Sequence, residues 1–372
     1  MIEILEKQVN DLVHSSKPKL AIDLCEKVIN HCVLILSGLY SHYGEEEKAY
    51  NVLRNGVPFA TDCNVHNNLS SLLIQNGNSK EAVELLESLT SDTSSINPNA
   101  DTYYNLGIAL KNCNQLSEAL DALEKSLELN PDSPATHCLI ADICVAQGQY
   151  ARFFEEDWHR FALFPKLKKM IKELGKPFWD GTPGRTVLVF NDQGNGDFIQ
   201  FARWVKHLKE VGCRVTLKVE QDMFDLFKSL EGYDCICSKI LDNYDCIVPV
   251  TSLPAYFDPN LDDIPMKDYY LQPEGCPELL VDVLRVKQDK KKIGICWAGS
   301  LHHTSDPQRS CYLKHFKPLF DLDAVIVSLQ KGNNVRDWGE TVNLLEDTED
   351  LKYVDAAPFM TDYNKTALIL KQ

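Results

Sequence analysis

From the N-terminus to about residue 160, apolar residues recur every three or four positions, the spacing of amphipathic helices, and strand-like alternation is nearly absent. Within this part, "ADTYYNLGIALKNCNQLSEALDALEKSLELNPDS" (residues 100–133) fits a 34-residue helix–turn–helix template, the tetratricopeptide repeat. Tyr103, Leu106, Gly107 and Leu110 fall on its first helix and Ala119 and Leu123 on its second, while Pro131 closes the unit. Small residues at Gly107 and Ala119 let the two helices approach, and Pro131 stops the second one.

Weaker copies flank this unit. Ala82 in "SKEAVELLESL" and Ala49 in "EEKAYNVL" occupy the slot of Ala119, at intervals of 37 and 33 residues. The longer interval predicts a short insertion near "TSSINPN". A further unit begins at Pro134, and "KLAIDLCEKVI" reads as a half-unit at the start. Single hairpins cannot bury their apolar faces alone, so stacked neighbours must supply the core.

Residues 161–185 read as a helix followed by a linker rich in Gly, Pro and Trp, with Lys166, Lys168, Lys169, Lys172 and Lys176 on a solvated face. After Arg185 the period changes. "TVLVF" (186–190), "RVTLKV" (214–219), "YDCICSK" (233–239), "DCIVPV" (245–250), "KIGICWAG" (292–299) and "AVIVSLQ" (324–330) are short β-branched runs with helix patterns between several of them. That alternation predicts parallel sheet covered by helices. The expected fold class is α plus α/β, with tetratricopeptide helices over 1–160, a first Rossmann-like domain over 186–290, and the start of a second over 291–372.

Charge and cysteine content narrow the function classes. A formal net charge of −16 argues against a nucleic-acid or anionic-membrane surface. No secretory signal and no transmembrane run is visible, which predicts a cytoplasmic location. The 13 cysteines are scattered through apolar patterns, as at Cys25, Cys138, Cys144, Cys246 and Cys296, and Cys235-Ile-Cys237 lacks metal-ligand spacing and is expected to point to opposite faces of a strand. Buried reduced thiols are expected, and no metal site.

The chemistry concentrates in the turn Asn191-Asp192-Gln193-Gly194-Asn195-Gly196-Asp197, which follows the first strand. In an open parallel sheet, ligands sit beyond the carboxyl ends of strands. Gly194 and Gly196 permit close backbone approach there. Asp197 has two readings, a cap for the following helix or a carboxylate acting as general base. The stretch lacks the third glycine of a dinucleotide fingerprint, and no Gly-Lys-Ser/Thr follows, so it is neither a dehydrogenase loop nor a phosphate-binding P-loop.

Taken in order, "VLVFNDQGNGDFIQFARWVKHLKEVGCRVTLKVE", "DCIVPVTSLPAYFD", "IGICWAGSLHHTSDPQRS" and "VIVSLQKG" resemble tetratricopeptide-containing glycosyltransferases of the ADP-heptose:lipopolysaccharide heptosyltransferase-like superfamily. The resemblance spans about 185–370. It implies a GT-B fold whose first half holds the acceptor and whose second half holds a nucleotide-sugar, with no metal or other cofactor. By the same resemblance Asp197 is the catalytic carboxylate, and Gly194, Asn195, Gly196 and Gln200 form the acceptor-side loop. Ser300, Arg309 and Lys331 are candidates for the donor's phosphates, while His302 and His303 read as loop residues.

The chain departs from the family at "MTDYNKTALILKQ", where a further strand and an Asp-Thr…His segment are expected to follow. The donor-side half is therefore expected to be incomplete. Two functional expectations stand together: a glycosyltransferase acting on a glycan or protein acceptor, and a non-catalytic tetratricopeptide interaction protein with a remnant transferase domain. In either case the helical groove offers a surface for a protein partner.

Overall fold

The structure is a computed structural model, and it describes residues 2–15, 17–91, 93–239, 243–265, 269–275, 290–299, 310–331 and 353–371. These divide into two compact units, Met1–Glu173 with Pro259–Leu261, and Leu174–Asp258 with Asp262–Gln372.

The first unit is helical. It runs α1 (Ile2–His14), α2 (Pro18–His42), α3 (Glu46–Gly56), α4 (Asn64–Gln75), α5 (Ser79–Thr90), α6 (Ala100–Asn112), α7 (Leu116–Leu129), α8 (Pro134–Ala146), α9 (Tyr150–Asp157), α10 (Arg160–Leu163) and α11 (Pro165–Leu174), the last reaching the unit's edge. Successive helices pair as α2–α3, α4–α5, α6–α7 and α8–α9. One core runs through them, with Ala49, Ala82, Ala119, Leu86, Leu123, Ile140 and Ile143 excluded from solvent. At Gly107 a Cβ would lie 2.6 Å from Cγ and Cδ2 of Leu123, so the close approach of α6 and α7 requires glycine.

Each hairpin turns on one left-handed residue: Gly44 (φ 73°), Gly77 (80°), Asn114 (62°) and Gly148 (72°). Glycine tolerates this region without a Cβ penalty and asparagine is among the few side chains that enter it, which is why these positions are Gly or Asn. Residues 91–99 hold the predicted insertion between α5 and α6. The α6 start is fixed there by Asn99, whose Oδ1 accepts from the Thr102 amide (2.9 Å) while the Asn99 amide donates to Thr102 Oγ1 (3.2 Å).

The second unit contains two parallel sheets. The first has the order β3-β2-β1-β4, formed by β1 (Thr186–Phe190), β2 (Arg214–Lys218), β3 (Cys235–Cys237) and β4 (Cys246–Pro249). Val187, Leu188, Val189 and Phe190 are all buried, as an inner parallel strand covered on both faces requires. Between β1 and β2 lie α12 (Asn195–Phe201) and α13 (Val205–Glu210), and α14 (Phe224–Phe227) precedes β3. A short helix, α15 (Leu253–Phe257), follows β4. The second sheet has the order β5-β6-β7, from β5 (Lys291–Ile295), β6 (Ala324–Ser328) and β7 (Tyr353–Asp355). The closing helix α16 (Tyr363–Leu370) is tied back by Asn364, which donates to the Glu274 carbonyl (2.8 Å) and accepts from its amide (3.1 Å).

Three expectations need correction. The linker is not a loose tether: Trp179 is buried, its amide donates to the Ile247 carbonyl (2.8 Å), and its carbonyl accepts from the Tyr256 hydroxyl (2.6 Å). Burial pushes that Tyr256 hydroxyl up to about 12. Strand β7 was not foreseen. The cysteines are free thiols among the described residues, but Cys32 and Cys296 are exposed, because the faces carrying them are uncovered. Cys235 and Cys237, two apart on β3, share one side of the strand. No cluster of three metal-ligating side chains exists among the described residues.

Candidate functional site

The turn after β1 lies where the strand order of the first sheet reverses, because β1 is flanked by β2 on one side and β4 on the other. At such a point the loops leaving two adjacent strands part and leave a crevice beyond their carboxyl ends. Here those loops are 191–197 after β1 and the 3-10 turn Val250–Ser252 after β4.

Side chains brace the turn from within. Asn191 Oδ1 accepts from the Gln193 amide (3.2 Å), and Asn191 Nδ2 donates to Asn195 Oδ1 (3.3 Å). Asp197 is not the residue that opens α12. Gly194 takes that place with extended dihedrals (φ −79°, ψ 161°), and Asp197 sits one turn in, where Oδ2 accepts from the Gly194 amide (3.0 Å). The cap bond thus runs backward from carboxylate to turn, the reverse of the side-chain cap expected. Asp197 is half-buried, and the bond to Gly194 is its carboxylate's one hydrogen bond among the described residues. The next residue, Phe198, is fully buried and stacks on Phe227 with centroids 5.0 Å apart, which anchors α12 in the core.

Gly194 and Gly196 are exposed. A Cβ on Gly196 would meet nothing within 4 Å, so the space in front of the turn is open there. Gln200, one turn along α12, is exposed, and its carbonyl accepts from Arg203 Nε (3.0 Å).

Sequence reasoning missed the group that joins the two loops. Asp192 is buried, and both its carboxylate oxygens lie 3.0 Å from the Thr251 hydroxyl. The signal was present in part, since an acidic residue two positions beyond an apolar strand is poorly placed if buried unless a donor meets it.

On the second sheet, Lys331 is exposed just beyond β6. Ser300 and Arg309, with His302 and His303, lie outside the described residues. The buried residue here is Gln330. Its Oε1 accepts from the amides of Trp297 (3.1 Å) and Ala298 (2.9 Å), and its Nε2 donates to the Ala298 carbonyl (3.0 Å). One side chain after β6 therefore fixes the start of the loop after β5, and the Gly299 amide is held by Ser310 Oγ (2.9 Å).

Comparison with known proteins bears on the helical unit. Residues 100–133 match the tetratricopeptide repeat family model. Solved structures similar to part of the chain include MamA from Desulfovibrio magneticus RS-1 (16% identity, TM-score 0.30, covering 45% of this chain and 95% of that one). PilW, a type IV pilus biogenesis factor, is similar at 16% identity and TM-score 0.33, covering 43% and 76%. The APC/C hetero-tetramer Cut9–Hcn1 is similar at 17% identity and TM-score 0.34, covering 44% and 34%. No curated protein matches the sequence. The chain thus combines a tetratricopeptide-type helical region, which suggests protein interaction, with parallel α/β sheets. No helix among the described residues is long and apolar enough to cross a membrane.

Proposed function

We propose that this chain is a glycosyltransferase that moves a sugar from a nucleotide-sugar donor to a glycan or protein acceptor, with its helical hairpins holding a protein partner or the acceptor. The observation that carries the reading is the placement of Asp197. It stands beside a strand-order reversal, on a turn fronted by open space at Gly196, with one carboxylate oxygen braced by Gly194. A carboxylate so oriented can take a proton from an acceptor hydroxyl as that hydroxyl attacks the anomeric carbon. Asn195 and Gln200 then orient the acceptor. On the donor side Lys331, with Ser300 and Arg309, would balance charge on the leaving diphosphate.

Sugar transfer from a panel of nucleotide-sugars, measured for the parent and Asp197→Asn, tests the proposal. Loss of about 10²–10⁴-fold in rate on substitution is expected for a general base. Activity untouched by the substitution removes Asp197 from the mechanism.

A second reading, a non-catalytic interaction protein, is favoured by the repeat match at 100–133. Calorimetry separates the two, because an interaction protein with a remnant domain takes up no nucleotide-sugar at millimolar concentration.

A further inference from the structure

The second unit holds a pocket that the transfer chemistry above leaves unused. Its volume is about 380 Å³, within the range of small-molecule sites. Arg203 and Lys206 line it from the helical run in which α12 passes through a 3-10 turn (Ala202–Trp204) into α13. Residues of the segment 269–274 line it as well, and hydrogen bonds at three points fix that segment. The Tyr270 hydroxyl donates to the Ile199 carbonyl, and the Gln272 amide donates to Ser229 Oγ (2.8 Å). Glu274 is held through its backbone by Asn364. The pocket is thus formed in advance, and a ligand need not order its walls.

The chemistry of the lining is mixed. The Arg203 guanidinium lies over the Tyr270 ring, 4.6 Å from its centroid, and Arg203 Nε donates to the Gln200 carbonyl (3.0 Å). Lys206, Tyr269, Gln272 and Glu274 make no side-chain hydrogen bond or ion pair among the described residues. They offer a donor in Lys206, an acceptor in Glu274 and both in Gln272. Tyr269, 73% exposed, adds an open aromatic face. Arg203 and Lys206 are balanced by Glu231 and Glu274, so the lining carries no net charge to draw in an anion such as a nucleotide. A zwitterion would match the charges, but Lys206 is only half-buried and Glu274 is exposed, where ion pairs add little. A pyranose uses every one of these groups. Its hydroxyls both donate and accept, and its C–H face lies flat on an aromatic ring.

We propose that this pocket is a saccharide-binding site, with Tyr269 as the stacking platform and Lys206, Gln272 and Glu274 as partners for ring hydroxyls. Its place gives it a part in transfer, a part that rests on the glycosyltransferase reading. Gly196, Gln200 and Arg203 follow each other at intervals of four and three, on one face of the helical run. Seven residues of helix carry that face about 10 Å from the turn to the pocket. An acceptor glycan with its reacting hydroxyl at Asp197 runs past Gln200 and lays an inner sugar on Tyr269. The acceptor is then an oligosaccharide, read at a ring that does not react.

Binding of the full chain to an array of maltose-, cellulose-, chitin- and mannan-derived oligosaccharides tests the proposal, with affinities for the best probe measured by saturation-transfer NMR. Tyr269→Ala should weaken binding about tenfold, the worth of one stacked ring, while Tyr269→Phe keeps it. Lys206→Met with Glu274→Gln should cost at least about tenfold through lost charged hydrogen bonds. Asp197→Asn should leave binding in place. Since Tyr269 is exposed, its variants should keep the parent's circular dichroism spectrum. No oligosaccharide binding by the parent, binding indifferent to Tyr269→Ala, or displacement of the saccharide by ADP or free phenylalanine overturns the proposal. Saccharide binding that depends on Tyr269 in a chain that transfers no sugar supports the pocket and removes the transferase reading. Transfer to an oligosaccharide whose KM is unmoved by Tyr269→Ala removes the pocket and leaves the transferase standing.

Discussion

The Thr251 hydroxyl lies 3.0 Å from each carboxylate oxygen of Asp192, although the two residues are 59 positions apart. One leaves β1 and the other leaves β4, so this contact fastens together the two loops that border the candidate site. Because Asp192 is buried, each donor to it matters more than it would at the surface.

Thr251→Val keeps the shape and removes the hydroxyl, so it should destabilise the α/β unit by about 1–3 kcal/mol. Thr251→Ser keeps the donor and should recover most of the loss. Urea denaturation followed by tryptophan fluorescence, with Trp179 and Trp204 both buried in this unit, measures the difference.

Gly107→Ala should destabilise the helical unit by about 1–3 kcal/mol, because the added methyl meets Leu123 at 2.6 Å. Leu123→Ala in the same chain makes room for it. The two substitutions should therefore be less harmful together than the sum of their separate effects, and a double-mutant cycle in urea reads the coupling.

Stability should fall as pH drops below about 6.5. Burial holds His66 below the usual histidine range, and burial together with neighbouring His137 does the same to His159. A histidine depressed in the folded state binds its proton more readily in the unfolded chain, so acid favours unfolding. The stability these two contribute is present above the unfolded value near 6.5 and is lost as pH falls through it. Urea midpoints at pH 7.5 and 5.5 should differ, and His159→Asn should reduce the difference.

Thiol reactivity should separate into classes. Burial pushes Cys138 and Cys246 up to about 11, which leaves little thiolate at pH 8. Exposed Cys296 should be alkylated in the native protein, whereas Cys138 and Cys246 should react only on unfolding. Peptide mass spectrometry after brief labelling distinguishes them.

Much of the fold was legible because its signals are local. The run Val187–Phe190 is apolar throughout and could only be an inner strand or a buried helix turn, and the flanking Arg185 and Asn191 settled its length. The hairpins announced themselves through Ala49, Ala82 and Ala119 at recurring intervals. β7 was illegible, since Tyr353-Val354-Asp355 is too short to show a period and exists only by pairing with β6. The Asp192–Thr251 contact and the Gln330 clamp were illegible for a related reason: each links residues brought together by sheet order, which local pattern does not encode. Asp197 was found as a residue, while its backward bond to Gly194 depends on the dihedrals of the turn.

The left-handed residues Gly44, Gly77, Asn114 and Gly148 recur at the same intervals as the buried alanines and threonines of the stack. They are cut points of equal geometry. A chain opened at Gly77 and again at Asn114 releases one unit of repeat length, bounded at both ends by the same kind of turn. A unit spliced in at one of these turns meets left-handed backbone on both sides, so the turns set no limit on the length of the array, and the side chains packed between neighbouring hairpins set it instead.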